Sequence, residues 1–114
     1  MSRDPRAYLW DALQAARSIQ RFTLGFEALT YSQDELLQSA VERKFEIIGE
    51  ALNQLSRQDP VIASRVPDLA QIIAFRNQLA HGYAKVSAGT VWTIVQTALP
   101  DLVITLQQVM DEFE

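Results

Sequence analysis

The residues of this chain best suited to chemistry lie together between Arg76 and Tyr83. The segment contains His81, the only histidine of the chain. Residues 68–80 carry apolar side chains at helical spacing, and Arg76 falls on the same stripe as those apolar residues. A guanidinium on such a stripe keeps its charge and is costly to bury without an anionic partner. We therefore expect Arg76 to meet either a carboxylate of the protein or the phosphate of a ligand.

An arginine and a histidine together are suited to cleavage of an RNA phosphodiester. Imidazole transfers protons near neutral pH, and a guanidinium binds phosphate and stabilises the charge that develops in the transition state. RNA carries its own nucleophile, the 2′-hydroxyl, so the reaction needs no metal ion. It does need both a base and an acid, which favours a dimer with two histidines at its interface. On the residues alone, a histidine that only caps a helix end is the alternative.

The spacing of the two residues sets a geometric condition. In an ideal α-helix, positions five apart, such as Arg76 and His81, point about 140° away from each other. They can face one ligand only if the helix loosens before His81, and Gly82 favours such loosening. An extended backbone after Gly82 would bring His81 and Tyr83 to one side, with Asn77 adding a polar group on the adjoining face. We expect these side chains to surround a phosphate.

Composition argues against several other kinds of site. With no cysteine and one histidine the chain cannot form a zinc cluster, and its four glycines are too scattered for a phosphate-binding loop. Glu42, Glu46 and Glu50 share a helical face and could bind a divalent metal, but no second helix supplies further carboxylates. A solvated face with Arg43 nearby is the preferred interpretation. We therefore expect neither a metal nor a cofactor.

Charge and composition also bear on partners and location. The 114 residues carry a net charge of −4, which argues against a general nucleic-acid coat protein. Residues 69–100 nevertheless contain no Asp or Glu, so a polyanion can be tolerated there, unless this segment is simply a core helix with few charges. The lack of cysteine, of a signal-peptide pattern and of a long apolar run predicts a cytoplasmic protein with no membrane association.

Apolar spacing predicts an all-α protein, an antiparallel bundle of four to five helices in a single domain over residues 1–114. The first helix is expected from residue 6 to about 26, with a break at 27–31. Ser32 and Glu35 form a capping-box pattern that begins the second helix. The apolar seam of that helix steps by four, three, four and three, and comprises Val41, Phe45, Ile48, Leu52 and Leu55.

The rest of the chain continues the helical pattern. Gly49, in the middle of the second helix, costs about 1 kcal/mol relative to alanine, which indicates the close approach of another helix. A polar connection over 56–67 can include a short helical turn, and the third helix is expected over 67–82. Ser87 is placed to cap the fourth helix, and Pro100 predicts a kink or break in it. The wide apolar face of this last helix favours a homodimer; the alternative is a central helix buried within one chain.

The same residues match a known pattern. The chain resembles the HepT-like ribonuclease toxins of the HEPN superfamily. Arg76, His81 and Tyr83 match the family's Arg-x4-His-x-Tyr motif, and Asn77 matches the polar residue that usually follows the arginine. Flanking segments extend the resemblance over nearly the whole chain, from about residue 5 to 110. They are 41–51, similar to the family's second helix, and 91–95 followed by 99–102, similar to its last helix.

The resemblance implies a helical bundle that dimerises and brings two motifs into one cleft. It implies a toxin with metal-independent endoribonuclease activity, with Arg76 and His81 as the catalytic pair and Asn77 in support. It also implies a partner, a minimal nucleotidyltransferase antitoxin that transfers AMP from ATP onto Tyr83. The resemblance leaves open whether toxin and antitoxin form a larger assembly than the dimer. An adenylate beside His81 would compete with the RNA phosphate for Arg76.

Two other interpretations stay open at this point. The chain could be a non-catalytic helical partner that binds nucleotide or scaffolds a nucleotidyltransferase. It could also be a plain dimeric bundle in which Arg76 pairs with Glu46 or Glu50. Glu42, Arg43, Glu46 and Glu50 could orient Arg76 or pair across the dimer, and the sequence does not assign them individually.

Overall fold

The computed structural model describes residues 3–81 and 86–113. All regular structure in these two ranges is helical, with five longer helices and two single-turn helices, so the predicted all-α class is confirmed. In chain order the helices are α1 (Pro5–Phe22), α2 (Ala28–Ser32), α3 (Glu35–Gln58), α4 (Pro60–Ala63), α5 (Leu69–His81), α6 (Ala88–Gln96) and α7 (Ala98–Asp111).

The core forms mainly between α1 and α3, which make the largest contact between any two helices of the described part of the chain. Every residue of the predicted seam on α3 is buried, which confirms that pattern. Helix α5 packs on the other side of α3, α7 packs on α1, and α6 lies between α2 and α7. Since α3 touches both α1 and α5, it is the element that supports the Arg76 segment.

The end of α1 differs from the prediction. The helix stops at Phe22 rather than near residue 26, because the Thr23 hydroxyl donates to the Ile19 carbonyl at 2.8 Å and caps the last turn. Gly25 then adopts a φ of +84°, a left-handed conformation that glycine accepts readily and that turns the chain. The expected break at 27–31 is wrong in part, because it contains most of α2.

The start of the second long helix also needs correction. The predicted cap was Ser32 with Glu35, but Ser32 is the last residue of α2 and its hydroxyl donates to the Leu29 carbonyl. Asp34 caps α3 instead, since its carboxylate accepts a hydrogen bond from the Leu37 backbone N–H at 2.9 Å. A carboxylate at a helix N-terminus also interacts favourably with the helix dipole, an advantage that a serine hydroxyl lacks.

In the second half of the chain, the short turn expected between Ser56 and Pro67 is present as α4. Helix α5 begins at Leu69 rather than at Pro67, because Asp68 has a positive φ of 59°, which no α-helix accommodates. The predicted cap at Ser87 is confirmed: its hydroxyl accepts from the Thr90 N–H at 3.1 Å. The last predicted helix is also interrupted near Pro100, as expected.

Pro100 explains where that break falls. Proline has no N–H to donate to the carbonyl four residues earlier, so the helix cannot run unbroken through this point. Helix α6 ends at Gln96, and α7 begins at Ala98 with Pro100 in its first turn, where proline is tolerated. The two helices are bent by 45° relative to each other.

The apolar face of α7 is only partly covered. Leu99, Leu106 and Val109 are buried, whereas the Ile104 side chain is 55% exposed. Helix α7 is therefore not the fully buried central helix of the alternative interpretation. None of the described helices has, by itself, the length and hydropathy required to cross a membrane, although α6 and α7 reach that threshold as a bent pair.

Candidate active site

Arg76 leaves the middle of α5 and lies directly on α3. A Cβ atom built at Gly49 would lie 2.2 Å from the Arg76 Cβ and 2.6 Å from its Cγ, far inside contact distance. The close approach predicted at Gly49 is therefore confirmed, and the group that approaches is the stem of Arg76. Glycine at this position is what allows the arginine to lie against α3.

The guanidinium is held from two sides. Its Nη2 donates to Oε2 of Glu50 at 2.6 Å, and its Nη1 donates to Oδ1 of Asn77 at 2.9 Å. Glu50 in turn accepts a hydrogen bond from the Gln54 amide at 3.0 Å. The anion that Arg76 was expected to meet is thus the Glu50 carboxylate. An arginine has about five N–H donors, so these two contacts leave others for a second anion.

The exposure of the Arg76–Glu50 ion pair limits what the pair contributes to stability. The Arg76 side chain is 27% exposed and that of Glu50 is 45% exposed, so water screens the pair. Such pairs contribute about 0–1 kcal/mol to stability, whereas Gly49 costs about 1 kcal/mol of helix propensity. The two effects roughly cancel. Stability therefore does not explain why a glycine makes room for an arginine beside Glu50, whereas positioning the guanidinium does.

Three other charged residues of α3 that the sequence analysis named interact with groups other than Arg76. They are Glu42, Arg43 and Glu46. Arg43 faces Glu46 at 3.7 Å, one turn of α3 before Glu50. The Glu42 carboxylate acts on Tyr31, where it adds to the rise in the tyrosine pKa that burial causes. Within the two described ranges, no three His, Asp or Glu side chains are close enough together to hold a metal ion.

His81 is the last residue of α5, and its side chain is exposed. The loosening expected before His81 does not occur: α5 stays helical through this residue, because no glycine or proline precedes it in the helix. Ideal geometry then places His81 about 7.5 Å along the axis and about 140° around it from Arg76. Asn77 lies beside Arg76, and Tyr83 lies outside the described residues.

A groove of about 330 Å³ adjoins Arg76, between α1, α3 and α5. We call it the Arg76 groove. Ala80 lines it from α5, but His81 does not. Its polar and aromatic walls also include residues that the motif did not identify. They are Arg3, Tyr8, Asp11 and Gln54. Because they precede the motif by 22 to 73 positions, no local spacing in the sequence linked them to Arg76.

Comparison with known proteins identifies the family of the chain. The family model described as "Ribonuclease HepT-like" matches residues 12–109. The chain is 26% identical over 114 residues to "Putative RNase MJ1216" of Methanocaldococcus jannaschii, covering 98% of this chain and 92% of that protein. It is 29% identical over 102 residues to "Probable ribonuclease HepT" of Thermococcus cleftensis, covering 90% and 92%. No solved structure gives a significant match to the chain. The chain therefore belongs to the HepT-like ribonucleases of the HEPN superfamily.

Proposed function

We propose that this protein is a cytoplasmic toxin that cleaves RNA without a metal ion. The observation that carries the proposal is the position of Arg76, whose stem lies on Gly49 and whose guanidinium is held by Glu50 and Asn77 at the edge of a groove. A fixed guanidinium at the surface suits a phosphodiester that arrives from solvent. The ribonuclease family to which the chain belongs supports RNA cleavage.

The proposed reaction uses the 2′-hydroxyl of the RNA as its nucleophile. One His81 takes the proton of that hydroxyl as the 2′-oxygen bonds to phosphorus. The bond from phosphorus to the 5′-oxygen breaks, and a second His81 protonates the leaving oxygen. Arg76 stabilises the charge that builds on the non-bridging oxygens. The products are a 2′,3′-cyclic phosphate and a 5′-hydroxyl.

This mechanism requires two copies of the chain, and the surface of α5 supports a homodimer. No residue of α5 is buried, although Ile72 and Phe75 are apolar and pack against the core. These two residues also line an apolar groove of about 450 Å³ shared with α3, α6 and α7. A second copy packed on α5 would cover that surface. It would also supply a histidine from the other side, which the geometry within one α5 does not.

The test is a metal-free nuclease assay. Wild-type protein incubated with total RNA in EDTA should cleave it, and His81→Ala should be slower by about 10²–10⁴-fold, the usual contribution of general acid–base catalysis. Arg76→Ala should lose activity as well, because the guanidinium stabilises the transition state. Unchanged RNA, or equal cleavage by His81→Ala, would refute the proposal.

We also propose that the partner is a minimal nucleotidyltransferase antitoxin that uses ATP to AMPylate Tyr83. The support is the sequence position of this tyrosine, two residues after His81. Each adenylate adds bulk and a phosphodiester charge, which would compete with RNA for Arg76. Co-expression with the partner should raise the mass of the chain by whole AMP units, and Tyr83→Phe should prevent the gain. An undiminished gain in Tyr83→Phe would place the modification elsewhere.

The second candidate is a non-catalytic partner that binds nucleotide, and one observation favours it: the Arg76 groove is lined by Arg76 but not by His81. This candidate predicts nucleotide binding without RNA cleavage, and no rescue of growth by Arg76→Ala when the protein is overproduced. The plain structural bundle requires a buried Arg76–Glu50 pair. That pair is present, but it is partly exposed rather than buried.

A further inference from the structure

The charged residues that line the Arg76 groove balance one another. Three arginines and three carboxylates line it, so their formal charges cancel. They form three pairs: Arg3 with Asp11 at 2.8 Å, Arg43 with Glu46 at 3.7 Å, and Arg76 with Glu50 at 2.6 Å. A phosphate group placed inside this groove, away from its edge at Arg76, would meet as many negative as positive groups. The groove therefore suits a neutral ligand that has both hydrogen-bond donors and acceptors.

The edge of a nucleobase has that chemistry. An exocyclic amino group can donate to a carboxylate such as Asp11, while ring nitrogens and carbonyl oxygens accept from guanidinium groups. The Gln54 amide, also in the wall, offers one donor group and one acceptor. Uracil is the exception among the four bases, because it has no amino group. Its one Watson–Crick donor, the N3–H, lies between two carbonyl oxygens that a carboxylate repels.

The groove also contains a surface for stacking. The Arg3 guanidinium carbon lies 5.0 Å from the centre of the Tyr8 ring, so a planar delocalised group already covers that ring. The Arg3 side chain is about half exposed, which leaves it free to give way to a base or to stack on one. Unpaired RNA bases are typically held on aromatic rings and arginine planes in this manner.

Size and position are consistent with a single base. The groove's volume of about 330 Å³ falls at the lower end of the 300–1,000 Å³ typical of small-molecule sites. Because Arg76 forms part of the wall, a base in the groove would belong to a nucleotide whose phosphate reaches the guanidinium.

We propose that the Arg76 groove binds one unpaired nucleobase that carries an amino group, namely adenine, guanine or cytosine, and thereby selects where the RNA is cut. The selection of the cut rests on the ribonuclease function proposed above. The binding of the base does not depend on that function. It can therefore be measured separately.

Nucleoside 3′-monophosphates are suitable probes, because they lack the second phosphoester and cannot be cleaved. Calorimetric titration of the wild-type chain should give binding of the adenosine, guanosine and cytidine forms about tenfold tighter than that of the uridine form. Inorganic phosphate should bind more weakly than any of the three. Equal affinity for all four nucleotides, or for phosphate alone, would overturn the proposal.

Variants at the stacking surface provide the matched comparison. Tyr8→Leu keeps an apolar side chain against the core but removes the ring, and should weaken nucleotide binding about tenfold. Tyr8→Phe keeps the ring and should bind like the wild type. Asp11→Asn, at an exposed position, should reduce the preference over uridine without affecting folding, which circular dichroism would verify. Unchanged affinity in both Tyr8→Leu and Asp11→Asn would rule the site out.

Cleavage then separates the two proposals. If the wild type cuts RNA, Tyr8→Leu should cut with less preference for particular positions, and an unchanged cleavage pattern would contradict the groove's role in selection. If the wild type cuts no RNA but binds amino-bearing nucleotides through Tyr8, the ribonuclease proposal fails and the binding site stands. If the wild type cuts RNA but binds all four nucleotides equally, the ribonuclease proposal stands and the proposal of base binding in the Arg76 groove fails.

Discussion

At the residue scale, the position of Arg76 depends on what its neighbours lack as much as on what they offer. The missing side chain of Gly49 lets the arginine stem lie on α3, and the Glu50 carboxylate then fixes the guanidinium. A partly solvated ion pair adds little to stability. We therefore assign Glu50 as a positioning residue for Arg76 rather than as a structural one.

The substitution Glu50→Gln tests this assignment. It keeps the size of the side chain and removes its charge, so Arg76 should lose its fixed orientation while the fold stays within about 1 kcal/mol of the wild type. We expect cleavage to fall about ten- to a hundredfold, mainly in kcat, because orientation rather than binding is lost.

The control for that substitution is Glu112→Gln. Glu112 pairs with Arg65 at 2.5 Å, away from the site, and both side chains are about half exposed. Removing this charge should leave cleavage unchanged. If the two variants lose activity equally, the loss reflects net charge or general stability, and Glu50 has no special role.

At the scale of helices, the contact between α3 and α5 decides whether the site exists. Its close approach at Gly49 can be tested with Gly49→Ala, which would place a Cβ 2.2 Å from that of Arg76. The helices must separate or Arg76 must move, so we expect a loss of about 1–3 kcal/mol in unfolding free energy and a loss of cleavage. Urea denaturation measures the first effect.

Gly89→Ala is the matched control. Gly89 lies in α6, and a Cβ there would come no closer than 4.0 Å to Ser87 Oγ. Alanine is the better helix former, so this variant should be as stable as the wild type or more stable by up to about 1 kcal/mol. Equal stability of the two alanine variants would mean that α3 and α5 tolerate a side chain between them.

Helix α2 is anchored differently, through Tyr31. The residue is fully buried, its ring lies 5.1 Å from that of Trp92, and its hydroxyl finds no hydrogen-bond partner among the described residues. Burial raises the pKa of Tyr31 to about 12, and the Glu42 carboxylate adds to the rise. The folded protein therefore holds this proton at pH values where the unfolded chain releases it.

The sign of the resulting pH dependence follows from that difference. The stability that neutral Tyr31 contributes is present below the unfolded pKa of about 10 and is lost as pH rises from about 10 to 12. In Tyr31→Phe this loss should be absent. At neutral pH the variant should be at least as stable as the wild type, because it removes an unpaired buried hydroxyl. Parallel pH curves for the two proteins would contradict the assignment.

At the scale of the whole molecule, the question is whether one chain can form the complete site. Arg76 and His81 leave α5 in different directions, and α5 itself lies at the surface with no buried residue. Both observations agree with a site completed by a second copy. Sedimentation should then give the mass of a dimer, and a monomer that cleaves RNA would contradict the two-histidine mechanism.

Mixed dimers test that mechanism directly. After equal amounts of wild-type and His81→Ala chains have exchanged, about a quarter of the twofold dimers contain two histidines. If both are needed, the mixture should have about a quarter of the activity of wild-type protein at the same total chain concentration. Independent sites would instead leave about half. The measured fraction therefore distinguishes a shared site from two separate ones.

The features that the sequence determined are those that depend on residues within one or two helical turns. The seam on α3, the cap at Ser87 and the break near Pro100 all appear where the pattern places them, because side-chain periodicity, capping and the missing proline N–H are local effects. Gly49 also indicated a close approach, since a glycine is costly in the middle of a helix.

The structure was needed wherever two helices meet. Glu46 and Glu50 are four residues apart, about 6 Å along α3, and the crossing of α5 decides which of them Arg76 reaches. Tyr8 joins the groove for a similar reason, because α1 packs along α3. Helix crossings depend on how all the core side chains fit together, and no short stretch of sequence contains that information.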